Sequence, residues 1–150
     1  MKKSKKISFI GLLMAFSMVL FSFKTPAGGD SFTIHLNNKL VLKQYLHDFK
    51  GAQSLTLDAS NANDELKVSY SHCGVVGKSR VLIIKDQNGK VLKQWRYEDS
   101  KGSMTCKVKD ILSMDKGNTT LSLFYNSAEM SKEQVLVSIV TAKDSKITKS

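Results

Sequence analysis

The chain has 150 residues, of which 41% are hydrophobic, and a formal net charge of +10 at pH 7. This length predicts a single domain with an apolar core. Residues 1–24 carry five lysines and no acid, so the formal charge of the remainder is +5, and only Arg80 and Arg96 are arginines. Because nucleic-acid readers favour arginine for bidentate contacts, this composition argues against a nucleic-acid partner.

Residues 1–27 have the organisation of a secretory signal peptide. "MKKSKK" is basic, Ile7 to Phe23 is an uncharged apolar run, and "KTPAGGD" is small and polar. Thr25 and Ala27 fit the −3 and −1 positions of a cleavage site, so we expect cleavage after Ala27. The alternative is an uncleaved anchor, because 17 apolar residues reach the lower limit for spanning a bilayer. The segment predicts a periplasmic or secreted protein with no stable membrane span after cleavage.

Residues 28–142 are predicted to form one domain built of short strands. Phe32, Ile34 and Leu36 alternate with polar residues, and similar alternation recurs in "SLTL", "ELKVSY", "NTTLSLFY" and "QVLVSIVTA". Residues 40–49, "LVLKQYLHDF", fit either a strand or a helix. We favour a strand that pairs back onto residues 32–37 and ends in one helical turn.

The clearest hairpin is "RVLIIKDQNGKVLKQWRYED", because Asn88-Gly89 supplies the positive φ of a tight turn. "SMTCKVKD" indicates a further strand, and "KDILSMDKGN" a loop with a short helical turn. Eight or nine short strands without a long helical pattern predict an all-β fold, an antiparallel β-sandwich of immunoglobulin-like or jelly-roll-like order. Residues 143–150 are predicted to be a flexible tail.

The two cysteines, Cys73 in "YSHCG" and Cys106 in "MTCKV", are predicted to form a disulfide, because exported chains reach an oxidising compartment. An alternative is a nucleophilic Cys73 that uses a histidine such as the adjacent His72. Strand neighbours point to opposite faces, and no third catalytic element is evident. Without C-x-x-C or H-x-x-x-H spacing, the sequence predicts no metal site and no cofactor.

Trp95 and Tyr97 share one face of the second hairpin strand, with Arg96 on the opposite face. Since an aromatic ring can stack on a sugar, these three residues are a candidate ligand-binding site. The alternative is that the rings belong to the core of the sandwich.

The segments "YSHCG" and "MTCKVKDIL", together with "LNNKLVLKQ" near the start, resemble a group of short exported bacterial proteins. That group has no assigned activity. The resemblance implies export and a single domain, and it implies no catalytic or ligand-binding residues.

We therefore expect an exported, non-enzymatic binding or structural module of the cell envelope, with a glycan or an envelope protein as its partner. One alternative is a small thiol-dependent or hydrolytic enzyme that uses Cys73 with a histidine. Another is an inhibitor or strand-pairing partner of an envelope protein, acting through an unpaired edge strand.

Overall fold

The computed structural model describes residues 29–117 and 120–142, so the predicted signal peptide and tail lie outside the described residues. The alternating segments form strands, and the described residues also contain one short α-helix and two 3₁₀ turns. The elements are β1 Ser31–Leu36, β2 Lys39–Tyr45, β3 Gln53–Leu57, β4 Glu65–Ser71, β5 Arg80–Lys85, β6 Val91–Tyr97, β7 Met104–Lys107, α1 Val108–Leu112, β8 Thr120–Asn126 and β9 Gln134–Thr141, with the 3₁₀ turns at Leu46–Asp48 and Ala59–Asn61.

The strands form two sheets, one ordered β2-β1-β4-β7 and the other β3-β9-β8-β5-β6. The predicted all-β sandwich is confirmed, with nine strands among the described residues. One detail differs from the predicted antiparallel arrangement. Strand β3 pairs parallel to β9, so the five-stranded sheet is mixed.

The segment that was ambiguous between strand and helix is a strand. β2 pairs antiparallel with β1, so that Ile34 lies opposite Leu42, and a 3₁₀ turn at Leu46–Asp48 follows it. Asn37 occupies the turn between the two strands with φ 54°, a conformation that asparagine tolerates better than most residues. The side-chain oxygen of Asn37 accepts a hydrogen bond from the backbone N–H of Glu65, which ties this turn to the start of β4.

The predicted β5–β6 hairpin is also confirmed. Gly89 in its turn has φ 77°, and its N–H donates to the carbonyl of Asp86 at 3.0 Å. The Asp86 side chain accepts hydrogen bonds from the backbone N–H groups of Asn88 and Lys90, so it shapes the turn. This turn therefore uses its aspartate and glycine for local geometry.

The core lies between the sheets and is built from the inward positions of the alternating strands. The four-stranded sheet contributes Phe32 and Ile34 of β1, for example, and β8 of the other sheet contributes Leu121, Leu123 and Tyr125. Each of these side chains is almost fully shielded from solvent. Burial of one such side chain stabilises a fold by about 1.5–3 kcal/mol, so the alternation in the sequence largely determines the sandwich.

Candidate functional site

The inward faces of β4 and β8 end in polar side chains at one end of the sandwich. Beyond the apolar positions of β4 come Tyr70 and His72, and beyond those of β8 come Tyr125 and Ser127, all four of them buried. Asp30, just before β1, reaches the same place. We call Asp30, Tyr70, His72, Tyr125 and Ser127 the polar cluster.

His72 is the centre of the polar cluster. Its Nδ1 lies 3.3 Å from Oδ2 of Asp30. Its Nε2 lies 3.0 Å from the Tyr125 hydroxyl and 3.1 Å from Oγ of Ser127. A carboxylate can only accept from the ring, whereas each hydroxyl can donate or accept, so both nitrogens of His72 have suitable partners.

The two tyrosines of the cluster connect the sheets. Their rings stack with centroids 4.3 Å apart, one from β4 and one from β8. The Tyr70 hydroxyl donates to Oδ2 of Asp30 at 3.2 Å. Burial raises the pKa of Tyr70 above its ordinary value, and the Asp30 carboxylate raises it further. Tyr70 therefore stays protonated and acts as a hydrogen-bond donor at this end of the fold.

A second layer of residues surrounds the cluster. Glu129 accepts hydrogen bonds from the backbone N–H of Lys78 and from the Ser127 hydroxyl, and these lower its pKa. Gly77 packs so closely that a Cβ there would lie 3.0 Å from the Tyr125 hydroxyl and 2.9 Å from Cδ of Arg80.

Arg80 is buried at the start of β5 and is held by backbone carbonyls. Its guanidinium donates to the carbonyl of Glu98 at 2.8 Å and to that of Gly102 at 2.6 Å. The guanidinium therefore has hydrogen-bond partners despite its burial, and the side chain cannot easily yield to a larger neighbour.

Asp30, His72 and Ser127 follow one another as carboxylate, imidazole and hydroxyl. Groups in this order can activate a serine nucleophile. Two features of the structure oppose that use. His72 and Ser127 are only 7% and 5% exposed. Ser127 also donates to Glu129, whose negative charge would oppose the oxyanion that forms during acyl transfer.

The predicted disulfide between Cys73 and Cys106 is not formed. Cys106 lies opposite Leu66, near the start of β4, whereas Cys73 follows the end of that strand at Ser71. The strand from Leu66 to Ser71 alone spans roughly 17 Å at about 3.3 Å per residue. Bridged cysteines have Cα atoms within about 7 Å, so this fold keeps the two residues too far apart.

The environments of the two cysteines also differ from that of a catalytic thiol. Cys73 is exposed, and its Sγ lies 3.7 Å from Oδ1 of Asp30. Desolvation raises the pKa of Cys73, and the Asp30 carboxylate raises it further. Burial raises the pKa of Cys106 to about 12. An activated cysteine needs a lowered pKa, so neither environment favours a thiolate nucleophile.

The residues of the predicted aromatic platform are divided between two faces of β6. Trp95 and Tyr97 point inward and pack against the core, whereas Arg96 is exposed on the other face. The ammonium of Lys93 lies 5.1 Å from the centre of the Trp95 ring. The Tyr97 hydroxyl donates to the carbonyl of Thr105 in the opposite sheet. Much of the surface of both rings is therefore used within the fold.

The longest exposed edges of the sandwich are β2 and β6, which have seven residues each. Strand β2 pairs with β1 on one side, and no other strand of residues 29–117 and 120–142 pairs with it. It exposes Leu40, Val41 and Tyr45 by 49%, 37% and 44%, whereas β6 exposes one large apolar residue, Val91. We call the unpaired side of Lys39–Tyr45, with these three side chains, the β2 edge.

The β2 edge opens onto a narrow apolar cleft between the sheets. Val41 is a bulge residue without a counterpart in β1, and it lines the cleft with residues that include Leu55 and Val137. Nε2 of Gln53 donates a hydrogen bond to Oε1 of Gln44 across the cleft at 3.2 Å. The cleft measures about 30 Å³, far below the roughly 300–1,000 Å³ of small-molecule pockets. It has room for the tip of one side chain from a partner.

No group of three or more His, Cys, Asp or Glu residues within the described ranges could hold a metal ion. The helices described there are also too short or too polar to cross a bilayer. In comparisons with protein-family models, curated proteins and solved structures, none matches the chain. The resemblance to short exported bacterial proteins stays a prediction.

Sequence reasoning missed the polar cluster apart from His72, and it gave no place to Asp30 or Ser127. The alternation of inward and outward positions along β4 and β8 did contain a signal for the polar cluster. Tyr70 and His72 continue the inward positions of β4, and Tyr125 and Ser127 continue those of β8. Two core strands that end in Tyr-x-His and Tyr-x-Ser indicate a polar contact between sheets, provided that their ends meet.

Proposed function

We propose that the protein is an exported, non-enzymatic β-sandwich of the cell envelope that binds an extended segment of an envelope protein along the β2 edge. Export is supported by the sequence of residues 1–27. Binding is supported by one observation above the others: β2 is a seven-residue edge strand that pairs with β1 alone among the described strands, and it exposes Leu40, Val41 and Tyr45.

An unpaired strand edge provides both affinity and specificity for an extended peptide. Its free N–H and C=O groups can form a ladder with the incoming backbone, and pockets beside the ladder select alternate side chains. Leu40 and Tyr45 lie on the outer face of the sheet, opposite His35 and Ser31 of β1. Val41 lies at the cleft, where a partner side chain would be shielded from water.

Glycan binding by the aromatic platform has less support. A stacking platform needs an open ring face, but Trp95 packs on the core beneath Lys93, and the Tyr97 hydroxyl is bonded to Thr105. Arg96 projects from the opposite face of β6 and cannot join the two rings at one ligand.

Photo-crosslinking in the producing cell would test the proposal. A photoreactive amino acid is placed at Leu40 on the β2 edge in the full chain, including residues 1–27. We expect irradiation to attach one defined envelope protein at this position. Digestion and mass spectrometry of the product should locate the attachment in an extended segment of that partner.

The matched control places the same amino acid at Val91, which is 43% exposed on the other seven-residue edge strand. The control should give no such product. The proposal fails if Leu40 and Val91 give the same products, or if Leu40 gives none.

A second candidate function is acyl transfer by Ser127, because Asp30 and His72 stand in the order that a hydrolase needs. It modifies the predicted enzyme by replacing Cys73 with Ser127 as the nucleophile. A fluorophosphonate probe should label the purified protein at Ser127 and should fail to label the His72→Gln variant. Labelling that is absent, or that persists in that variant, contradicts this candidate.

A further inference from the structure

We infer that the segment bound at the β2 edge is acidic, with carboxylates alternating with apolar residues. The inference rests on the proposed function and specifies the chemistry of the partner. It derives from the charges along β2, from the charges on the strands around it and from what those charges do to a second copy of the chain.

The β2 edge carries positive charge that the fold leaves uncompensated. Lys39 and Lys43 lie within the strand and Lys50 follows it, and all three are exposed. None of them forms an ion pair with any residue in the described part of the chain. The ammonium of Lys43 lies 5.2 Å from the centre of the Tyr45 ring. The nearest acid in sequence, Asp48, pairs with His47 at 3.0 Å.

The two lysines in the described strands of the five-stranded sheet are compensated within the fold. Lys93 of β6 lies 2.9 Å from a carboxylate oxygen of Asp110, and Lys85 of β5 pairs with Glu133. The other wall of the cleft, β3, reads Gln53–Leu57 and contains no charged residue. An acidic side chain beside β2 would therefore meet lysines and no competing carboxylate of β3.

The same lysines oppose the simplest alternative occupant, a second copy of the chain. Antiparallel pairing of two β2 strands would place four ammonium groups, one from each Lys39 and one from each Lys43, along one short ladder. Like charges across a strand pair are destabilising, and lysines on edge strands commonly prevent such self-pairing. An acidic side chain opposite either lysine replaces repulsion with attraction, so the charges that oppose self-association favour an acidic partner.

Short peptides with valine at alternate positions and Glu, Thr or Lys between them provide the probes. The bulge at Val41 puts Lys39 and Lys43 on opposite faces of β2, so the alternate Glu side chains of a peptide face one of them at a time. One opposite-charge pair across a strand ladder changes Kd by about 1.5- to 5-fold. We expect the Glu peptide to bind more tightly than the Thr peptide by this factor, and the Lys peptide to bind most weakly. The preference should shrink between about 20 mM and about 300 mM salt because surface charges are screened.

Charge reversal provides the decisive variant. Lys39→Glu combined with Lys43→Glu should reverse the order of the Glu and Lys peptides, and both positions are exposed, so the fold should survive. Arg96→Glu, on the exposed face of the other long edge strand, is the matched control and should leave the order unchanged.

The outcomes separate this inference from the proposed function. Equal binding of all three peptides, with cross-linking at Leu40 retained, overturns the acidic preference and leaves strand binding intact. No binding of any peptide up to about 1 mM, also after removal of residues 143–150, together with no cross-link at Leu40, overturns both. Dimerisation that Leu40→Lys abolishes would identify a second copy as the occupant and overturn the acidic partner.

Discussion

Removing both hydroxyls that face His72 should cost far more than removing them one at a time. Nε2 of His72 lies 3.0 Å from the Tyr125 hydroxyl and 3.1 Å from Oγ of Ser127. In Tyr125→Phe the serine can still serve this nitrogen, and in Ser127→Ala the tyrosine can. In the double variant a buried ring nitrogen loses both partners.

The magnitudes follow from the cost of buried hydrogen bonds. Each single variant should lower the free energy of unfolding by about 0.5–1.5 kcal/mol, because one bond is lost and the nitrogen keeps a partner. An orphaned buried polar group costs about 1–3 kcal/mol, so the double variant should exceed the sum of the single variants by about that amount. With a proton on Nδ1 facing Asp30, Nε2 of His72 accepts, and in Tyr125→Phe the Ser127 hydroxyl turns its single proton from Glu129 to this nitrogen.

Equilibrium unfolding in urea measures this cycle, with the m-value required to stay constant across the variants. Ser71→Ala provides the control in place of Ser127→Ala, because Ser71 is exposed just beyond the inward position of Tyr70. The control cycle with Tyr125→Phe should be additive. Additivity within about 0.5 kcal/mol in the Ser127 cycle itself would refute the shared role of the two hydroxyls.

Three further results are expected. Gly77→Ala should destabilise the fold by about 1–3 kcal/mol through overpacking against the Tyr125 hydroxyl, and by less in a Tyr125→Phe background, as measured by urea unfolding. A thiol reagent should modify Cys73 in the native protein and Cys106 only after unfolding, whereas two unreactive thiols throughout would indicate the bridge. The main cause of the lowered pKa of Glu129 is a backbone N–H donor. The stability that this carboxylate contributes is therefore present above the ordinary glutamate pKa and is lost as the pH falls through the lowered value. In a plot of unfolding free energy against pH, Glu129→Gln should flatten this acidic limb.

The strands were predictable because burial on one face imposes a period of two. Phe32 and Ile34 alternate with polar residues, and both are buried in β1. At residues 40–49 the same apolar residues also fitted a helix. The strand prevails because β1 provides a pairing partner for Leu42 and its neighbours, whereas Tyr45, which would join the helical apolar face, lies exposed.

The polar cluster was not predictable as a unit, because alternation gives the face of a residue and not the neighbour of its strand. Tyr70 and Tyr125 are 55 positions apart in the chain, yet their rings stack because the ends of β4 and β8 meet across the sandwich. Asp30 joins them from just before β1. The order of strands within the sheets determines these contacts, and no local pattern specifies that order.

The structure does not contain the predicted disulfide, for a related reason. Cysteines of an exported chain tend to pair in an oxidising compartment, but export does not determine the distance between them. β7 pairs with the beginning of β4, so Cys106 lies beside Leu66, while Cys73 lies beyond the other end of the strand. The register of β4 and β7 therefore places the two cysteines at opposite ends of β4.

Hydrogen exchange of the β2 amides tests strand binding at this edge most directly. With the Glu peptide bound at saturation, exchange should slow within Lys39–Tyr45, because its outward N–H groups gain partners, while Val91–Tyr97 of β6 stays unchanged. Saturating binding with no change in β2, or with slowing centred on β6, would contradict the assignment of β2 as the binding edge.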